Sequence, residues 1–204
     1  MQIILEEVGR RFNKEWIFKE LNYSFDKGGR YAILGPNGSG KSTLLSVLMG
    51  VLTPSSGSIK YLNPDEVPVE DVFKEISFAG PYLDLIDDFT LVETIDFHFQ
   101  FKSPIPSFDK SALLSLLGLE NSADKALKYF SSGMKQRTKL ALAFCSECSL
   151  LVLDEPTSNL DAQGVQWYQE LLNNFSKDRT LIIGSNVPYE YESCEHKLWI
   201  NDFK

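Results

Sequence analysis

Long apolar runs are what this 204-residue sequence most plainly lacks. Apolar residues make up 43% of it, yet no run approaches the roughly 18 residues that a membrane-spanning helix needs. Basic excess is missing too. With 20 Lys and Arg against 28 Asp and Glu, the net charge is −8, and nucleic acid is excluded as the main partner because phosphate neutralisation requires a basic face. Cysteine is scarce, with only Cys145, Cys148 and Cys194. An odd count argues against a disulfide framework. Cys145-Ser-Glu-Cys148 spells C-x-x-C but lies near the end of a predicted helix and before a strand, and no second pair completes a zinc site. The three read as ordinary buried or half-buried thiols. The amino terminus, Met-Gln-Ile-Ile-Leu-Glu-Glu, lacks the basic flank and apolar core of a secretory signal. These absences together predict a soluble, cytosolic chain that reaches a membrane only through a partner. Its length suits one well-packed domain, or a core with a subdomain attached.

What is present centres on Gly35-Pro36-Asn37-Gly38-Ser39-Gly40-Lys41-Ser42-Thr43. Gly35, four residues, then Gly40, Lys41 and Ser42 make the phosphate-loop pattern. Tyr31 to Leu34 reads as a buried strand before it and Ser42 to Met49 as a helix after it. Glycines let successive backbone N–H groups point at phosphate oxygens, and the helix adds its unpaired N–H groups and positive dipole end. Lys41 is expected to reach the β- and γ-phosphates and Ser42 to offer its hydroxyl to Mg²⁺. The alternative, a glycine-rich turn that merely precedes a helix, leaves Lys41 and Ser42 unexplained.

Along the chain, residues 2–8 and 17–25 read as strands, as do 58–62, 76–79, 150–153 and 180–184. Between about 82 and 130 helical candidates appear at 91–101, 110–117 and 123–127, separated by Ser103-Pro104-Ile105-Pro106 and Gly118. That stretch reads as an inserted helical subdomain. Ser131 begins a longer helix to about Cys145, and Val165, Tyr168, Leu171, Leu172 and Phe175 share one face of another. Strands alternating with helices imply a largely parallel sheet with its ligand at the strands' carboxyl ends.

Leu151-Val152-Leu153-Asp154-Glu155-Pro156 puts two acids at the end of an apolar strand. Asp154 can hold Mg²⁺, and Glu155 can polarise a water for in-line attack on a γ-phosphate.

Phe130-Ser131-Ser132-Gly133-Met134-Lys135-Gln136-Arg137 resembles the signature sequence of ABC transporter ATPases, usually Leu-Ser-Gly-Gly-Gln-x-Gln-Arg. Ser158-Asn159-Leu160-Asp161 resembles the family's D-loop. Phosphate loop, signature, acidic strand and D-loop follow the family's order, and the resemblance covers nearly the whole chain. It implies an α/β fold: a P-loop NTPase core with a mainly parallel sheet, an antiparallel N-terminal β-subdomain and an inserted α-helical subdomain. Residues 1–204 would form one ABC-type ATPase domain, with 1–81 and 150–204 as sheet core and about 82–149 as helical subdomain. It also implies ATP and Mg²⁺ as cofactors. Ser131, Ser132, Gly133 and Met134, at a positive helix terminus, would bind the γ-phosphate of ATP held by the opposite subunit. Two ATP molecules are then sandwiched in a head-to-tail dimer with a second copy or a sister chain. Asp161 would complete that site, and Phe12 would stack on adenine, with Trp16 in reserve and a strand-end core role as the plain alternative. The form of the signature is most like ATPases of small exporters. The implied partner is an integral membrane permease, and the implied location is the inner face of the cell membrane, held there peripherally. Phe73 to Phe101, rich in aromatics, is the candidate docking surface, unless its aromatics form subdomain core.

Two departures qualify the resemblance. The family's Q-loop glutamine should follow the strand 76–78, but Ala79-Gly80-Pro81-Tyr82 stands there, and no glutamine occurs between Gln2 and Gln100. The strand 180–184 should end near a histidine, but Ser185-Asn186 occupies the place. Asn186 can donate a hydrogen bond to phosphate but cannot carry a proton or a charge. Losing one well-placed donor costs roughly 3 kcal/mol, about a hundredfold in rate. The expectation is a slow ATPase. A second reading is a nucleotide-gated binding or regulatory half of a heterodimer. A third, weaker one is a soluble ABC protein, disfavoured by the acidic charge and by the ninety positions between Lys41 and Ser131.

Overall fold

The computed structural model describes residues 1–106 and 108–204. In chain order the elements are β1 (Gln2–Phe12), β2 (Glu15–Phe25), β3 (Arg30–Leu34), α1 (Lys41–Leu48), β4 (Ser56–Leu62), α2 (Val72–Glu75) and β5 (Ile76–Ala79). There follow α3 (Leu91–His98), α4 (Lys110–Leu117), α5 (Ser132–Phe144), β6 (Leu150–Asp154), α6 (Ala162–Phe175), β7 (Thr180–Gly184) and β8 (His196–Trp199). The chain divides into two units. One comprises Met1–Ile76, Cys148–Glu155 and Lys177–Lys204; the other comprises Ser77–Glu147 and Pro156–Ser176 and so takes in α6.

The first unit holds two kinds of sheet. β1 pairs antiparallel with β2 on one side and β4 on the other. Both long strands exceed the spans their alternation predicts. Glu7 and Glu20 adopt positive φ, 52° and 54°, and the register shifts beside Val8, so the two-residue period breaks while pairing continues. In the parallel sheet β7 lies between β6 and β3, with β8 beyond β3. Every residue of β6 and β7 is buried, which is why both read as continuous apolar runs. Leu44, Leu45, Val47 and Leu48 of α1 are buried as well. β8 has only Leu198 buried and leaves no apolar run to be read.

The second unit is built on helices with polar caps. Thr90 and Glu93 form a reciprocal capping box on α3, and Asp109, Ser131 and Asp161 cap α4, α5 and α6. Leu91, Ile95, Leu113, Leu117, Leu127 and Ala141 share one buried cluster. The helix expected at 123–127 does not form. Single 3₁₀ turns at Glu120–Ser122 and Leu127–Tyr129 stand on either side. Leu127 and Lys128 instead donate their N–H groups to Phe89 O and Asp87 O, both at 2.9 Å, and Thr90 bridges Ala126. The N–H groups of Leu127 and Lys128 are committed to this non-local pairing, so they cannot close the i to i−4 bonds that a helix at 123–127 needs.

Candidate active site

The phosphate loop follows the carboxyl end of β3 and leads into α1. Gly40 is the N-cap of α1 at φ 106°, a left-handed conformation that a side chain resists, and a Cβ there would run into Ile17. No side chain caps α1, so its first-turn N–H groups lack the acceptor that a Ser or Asp would supply. Lys41 is buried, and its Nζ donates to Gly35 O at 2.9 Å and Pro36 O at 3.3 Å. Pro36, Asn37 and Gly38 are exposed at the loop's crest, Ser42 and Thr43 are half-buried, and Ser39 is buried with its Oγ unpartnered among the described residues.

Asp154 ends β6 in the same unit, with 2% of its surface exposed. It is hydrogen-bonded to the Ser42 side chain, while its Oδ1 is buried without a hydrogen-bond partner among the described residues. Burial pushes its carboxyl above the usual carboxylate range; the Ser42 bond and the Lys41 charge oppose the rise, and the Glu155 and Glu190 charges add to it. Opposite it, Gly184 has no room for a side chain. A Cβ there would sit 2.8 Å from Leu45 Cδ1 and 3.1 Å from Asp154 Oδ1. A hydroxyl and a carboxylate with an unsatisfied buried oxygen are hard oxygen donors of the kind Mg²⁺ takes. Among the described residues no cluster of three His, Cys, Asp or Glu could hold a metal alone. This donor set therefore fits an ion that shares its coordination with phosphate oxygens.

Glu155 follows in a left-handed conformation, φ 43°, unusual for a residue with a Cβ. Its N–H donates to Gly184 O at 2.8 Å and its side chain is half-buried. Asn186, two residues past β7, is exposed and donates from Nδ2 to Asn37 Oδ1 at 3.1 Å. Phe12, at the end of β1, is 45% exposed with the Arg10 guanidinium 4.6 Å from its ring centre. It is therefore no core residue. Trp16 is also exposed, with Arg11 at 5.4 Å.

In the second unit, Ser131 and Ser132 are exposed at the start of α5, and Ser131 Oγ accepts from Met134 N at 3.1 Å. Gly133 lies under the 156–161 turn, where a Cβ would be 3.0 Å from Asn159 O. Gln136 is buried and donates to Pro156 O at 2.8 Å. The carboxylate of Asp161 accepts from Gly164 N at 2.8 Å as the cap of α6.

Residues 18–158 match the ABC transporter family model. The chain belongs to the ABC transporter family. Its role there is that of the ATP-binding domain, in a family of ATPases. It is 32% identical to a lantibiotic transport ATP-binding protein of Streptococcus pyogenes over 92% of this chain and 81% of that one. It is 31% identical to a Nod factor export ATP-binding protein of Burkholderia orbicola, over 97% and 67%. It is also 33% identical to a sulfate/thiosulfate import ATP-binding protein of Chlorella vulgaris, over 86% and 78%. Among solved structures, a dimeric bacterial ABC transporter cassette shares the fold with a TM-score of 0.80 at 21% identity, covering 97% of this chain and 94% of that one. No helix among the described residues is long and apolar enough to cross a membrane.

Within this ABC fold the first unit brings together Gly35–Thr43, Asp154, Glu155 and Asn186, whereas Ser131–Met134 and Asp161 lie in the second. Sequence reasoning missed Gly184, Ser185 and Glu190. Glu190 is 2% exposed, and a charged residue six positions past the end of an apolar strand gives no sign of burial.

Proposed function

We propose that this chain is the ATP-hydrolysing subunit of a membrane exporter, acting as a head-to-tail dimer. The observation that carries the hydrolytic reading is Asp154: a carboxylate almost fully withdrawn from water, bonded to Ser42 and with one oxygen unsatisfied. Lys41 and the loop N–H groups bind the phosphates of ATP, and Ser42 and Asp154 hold Mg²⁺. When bound, that ion would offset negative charge on the β- and γ-phosphates. Glu155 accepts the proton of the attacking water. Asn186 donates to the γ-phosphate in place of an imidazole, which makes turnover slow. Phe12 stacks on the adenine. Ser131, Ser132, Gly133 and Met134 of one copy close on the ATP of the other, with Asp161 beside them.

Export rests on the form of the signature and on the Nod factor relative; the import relative is the counterweight. The permease docks on the helical unit. There Phe78, Leu83, Phe89, Phe97 and Leu142 line a groove of about 300 Å³. Tyr82 and Phe101 beside them are 87% and 70% exposed, too open to be core. The chain thus sits peripherally on the inner membrane face through that partner. The single domain of 204 residues, with its sheet core and helical subdomain, works as one cassette. The second reading, a clamp that binds ATP and scarcely turns over, is favoured by Asn186 and by Ala79-Gly80-Pro81-Tyr82.

Sedimentation of Glu155→Gln with and without Mg-ATP tests the dimer. A monomer that becomes a dimer on adding ATP supports it, and Ser131→Arg should abolish the shift. A chain that binds ATP and stays monomeric at every concentration overturns the sandwich.

A further inference from the structure

The turn after β7 contains a buried polar pair that the hydrolytic reading does not use. Ser185 is fully buried and Glu190 is 2% exposed, and the Ser185 hydroxyl donates to Glu190 Oε2. Ser185 Oγ also accepts from Val187 N at 2.9 Å, and Ser185 N donates to Ile33 O at 3.1 Å. Glu190 N donates to Val187 O at 3.0 Å, which closes the 3₁₀ turn Pro188–Glu190 on the same loop. Four bonds thus join Ile33, Ser185, Val187 and Glu190, and one of them ties the loop to the strand that feeds the phosphate loop. Asn186, the one exposed residue at the start of this loop, points its amide at Asn37.

A carboxyl group kept from water is costly, and such a group persists where its bonds fix something. Here the bonded atoms flank Asn186 on both sides. We propose that the Ser185–Glu190 pair is a positioning device that holds Asn186 against the phosphate loop. Glu190 touches no substrate; it acts through Ser185 on the backbone of residues 185–187. The amide of an exposed Asn on an unbraced loop would sample several rotamers, and the braced loop confines it to one.

The test begins with NMR of the whole chain, reading the through-space contact between the Asn186 side-chain amide and the Asn37 β-protons. This arm needs no turnover. The contact should be present in the native chain and lost in Glu190→Ala. It should be retained in Glu190→Gln, whose amide oxygen still accepts from Ser185. Should Glu190→Ala not fold, Ser185→Ala removes the same bond from the donor side and must lose the contact. Kinetically, Glu190→Ala should lower kcat about tenfold with KM for ATP within twofold. In an Asn186→Ala background it should lower kcat no further, because the two act as one unit. An Asn186–Asn37 contact that survives in Glu190→Ala overturns the proposal, as does a full tenfold loss added to that of Asn186→Ala. A native chain that hydrolyses nothing would defeat the reading of Asn186 as a catalytic donor, while the NMR contact would still decide the positioning role.

Discussion

Asn186 Nδ2 lies 3.1 Å from Asn37 Oδ1, a hydrogen bond that joins the turn after β7 to the crest of the phosphate loop. An imidazole at position 186 would present a ring nitrogen to the same region and could carry a charge, which an amide cannot. Asn186→His is therefore expected to raise kcat, by up to about a hundredfold if a full transition-state donor is restored. Steady-state phosphate release measures it; unchanged or lower turnover counts against the role given to Asn186.

Gly184 faces Asp154 across a gap with no space for a methyl group. Gly184→Ala must push back either Leu45 or the Asp154 carboxylate, and overpacking of this kind costs roughly 1–3 kcal/mol. Both the denaturation midpoint and the affinity for Mg-ATP should fall. A variant as stable and as tight as the native chain would show that the packing at Asp154 is looser than described.

Much of this was legible in the sequence, and the reasons differ by element. Gly35 to Thr43 declared itself because phosphate binding needs glycine, lysine and serine at fixed spacing. β6 and β7 did so because strands buried on both faces leave no polar alternation. The 123–127 segment misled because its composition suits a helix while its N–H groups are bonded to residues 87 and 89, far away in the sequence. Glu190 was invisible for a related reason. Its burial depends on Ser185 folding back onto it, and no local pattern encodes that return. Phe12 reads as a strand-end residue, and sequence alone does not distinguish an adenine-stacking ring from a core one; the ring is 45% exposed, with the Arg10 cation over it.

His98 provides a pH signature. Its Nε2 is 2.7 Å from Ser146 Oγ, and burial lowers its pKa from 6.5 to about 4. The unfolded chain therefore binds a proton that the folded chain refuses between those values, so stability is full above about pH 6.5 and falls as pH drops toward 4. The loss approaches about 3 kcal/mol at the acid end. Thermal melts of the native chain and His98→Gln across this window should diverge, with the variant flatter. Parallel curves would mean His98 titrates normally.

Ser131 caps α5 through Met134 N. Ser131→Ala should cost about 1 kcal/mol of stability. Because Ser131 is also proposed to contact the partner's ATP, ATP-driven dimerisation should weaken by more than the cap alone explains. A drop in melting temperature with dimerisation intact would leave Ser131 a helix cap only.

The most direct measurement is steady-state phosphate release from the purified chain with Mg-ATP across protein concentrations, beside Glu155→Gln. The expected result is turnover that rises more steeply than protein concentration and disappears in the variant, as befits a dimeric site with Glu155 as its base. Turnover that persists in Glu155→Gln would contradict the assignment of the catalytic residue.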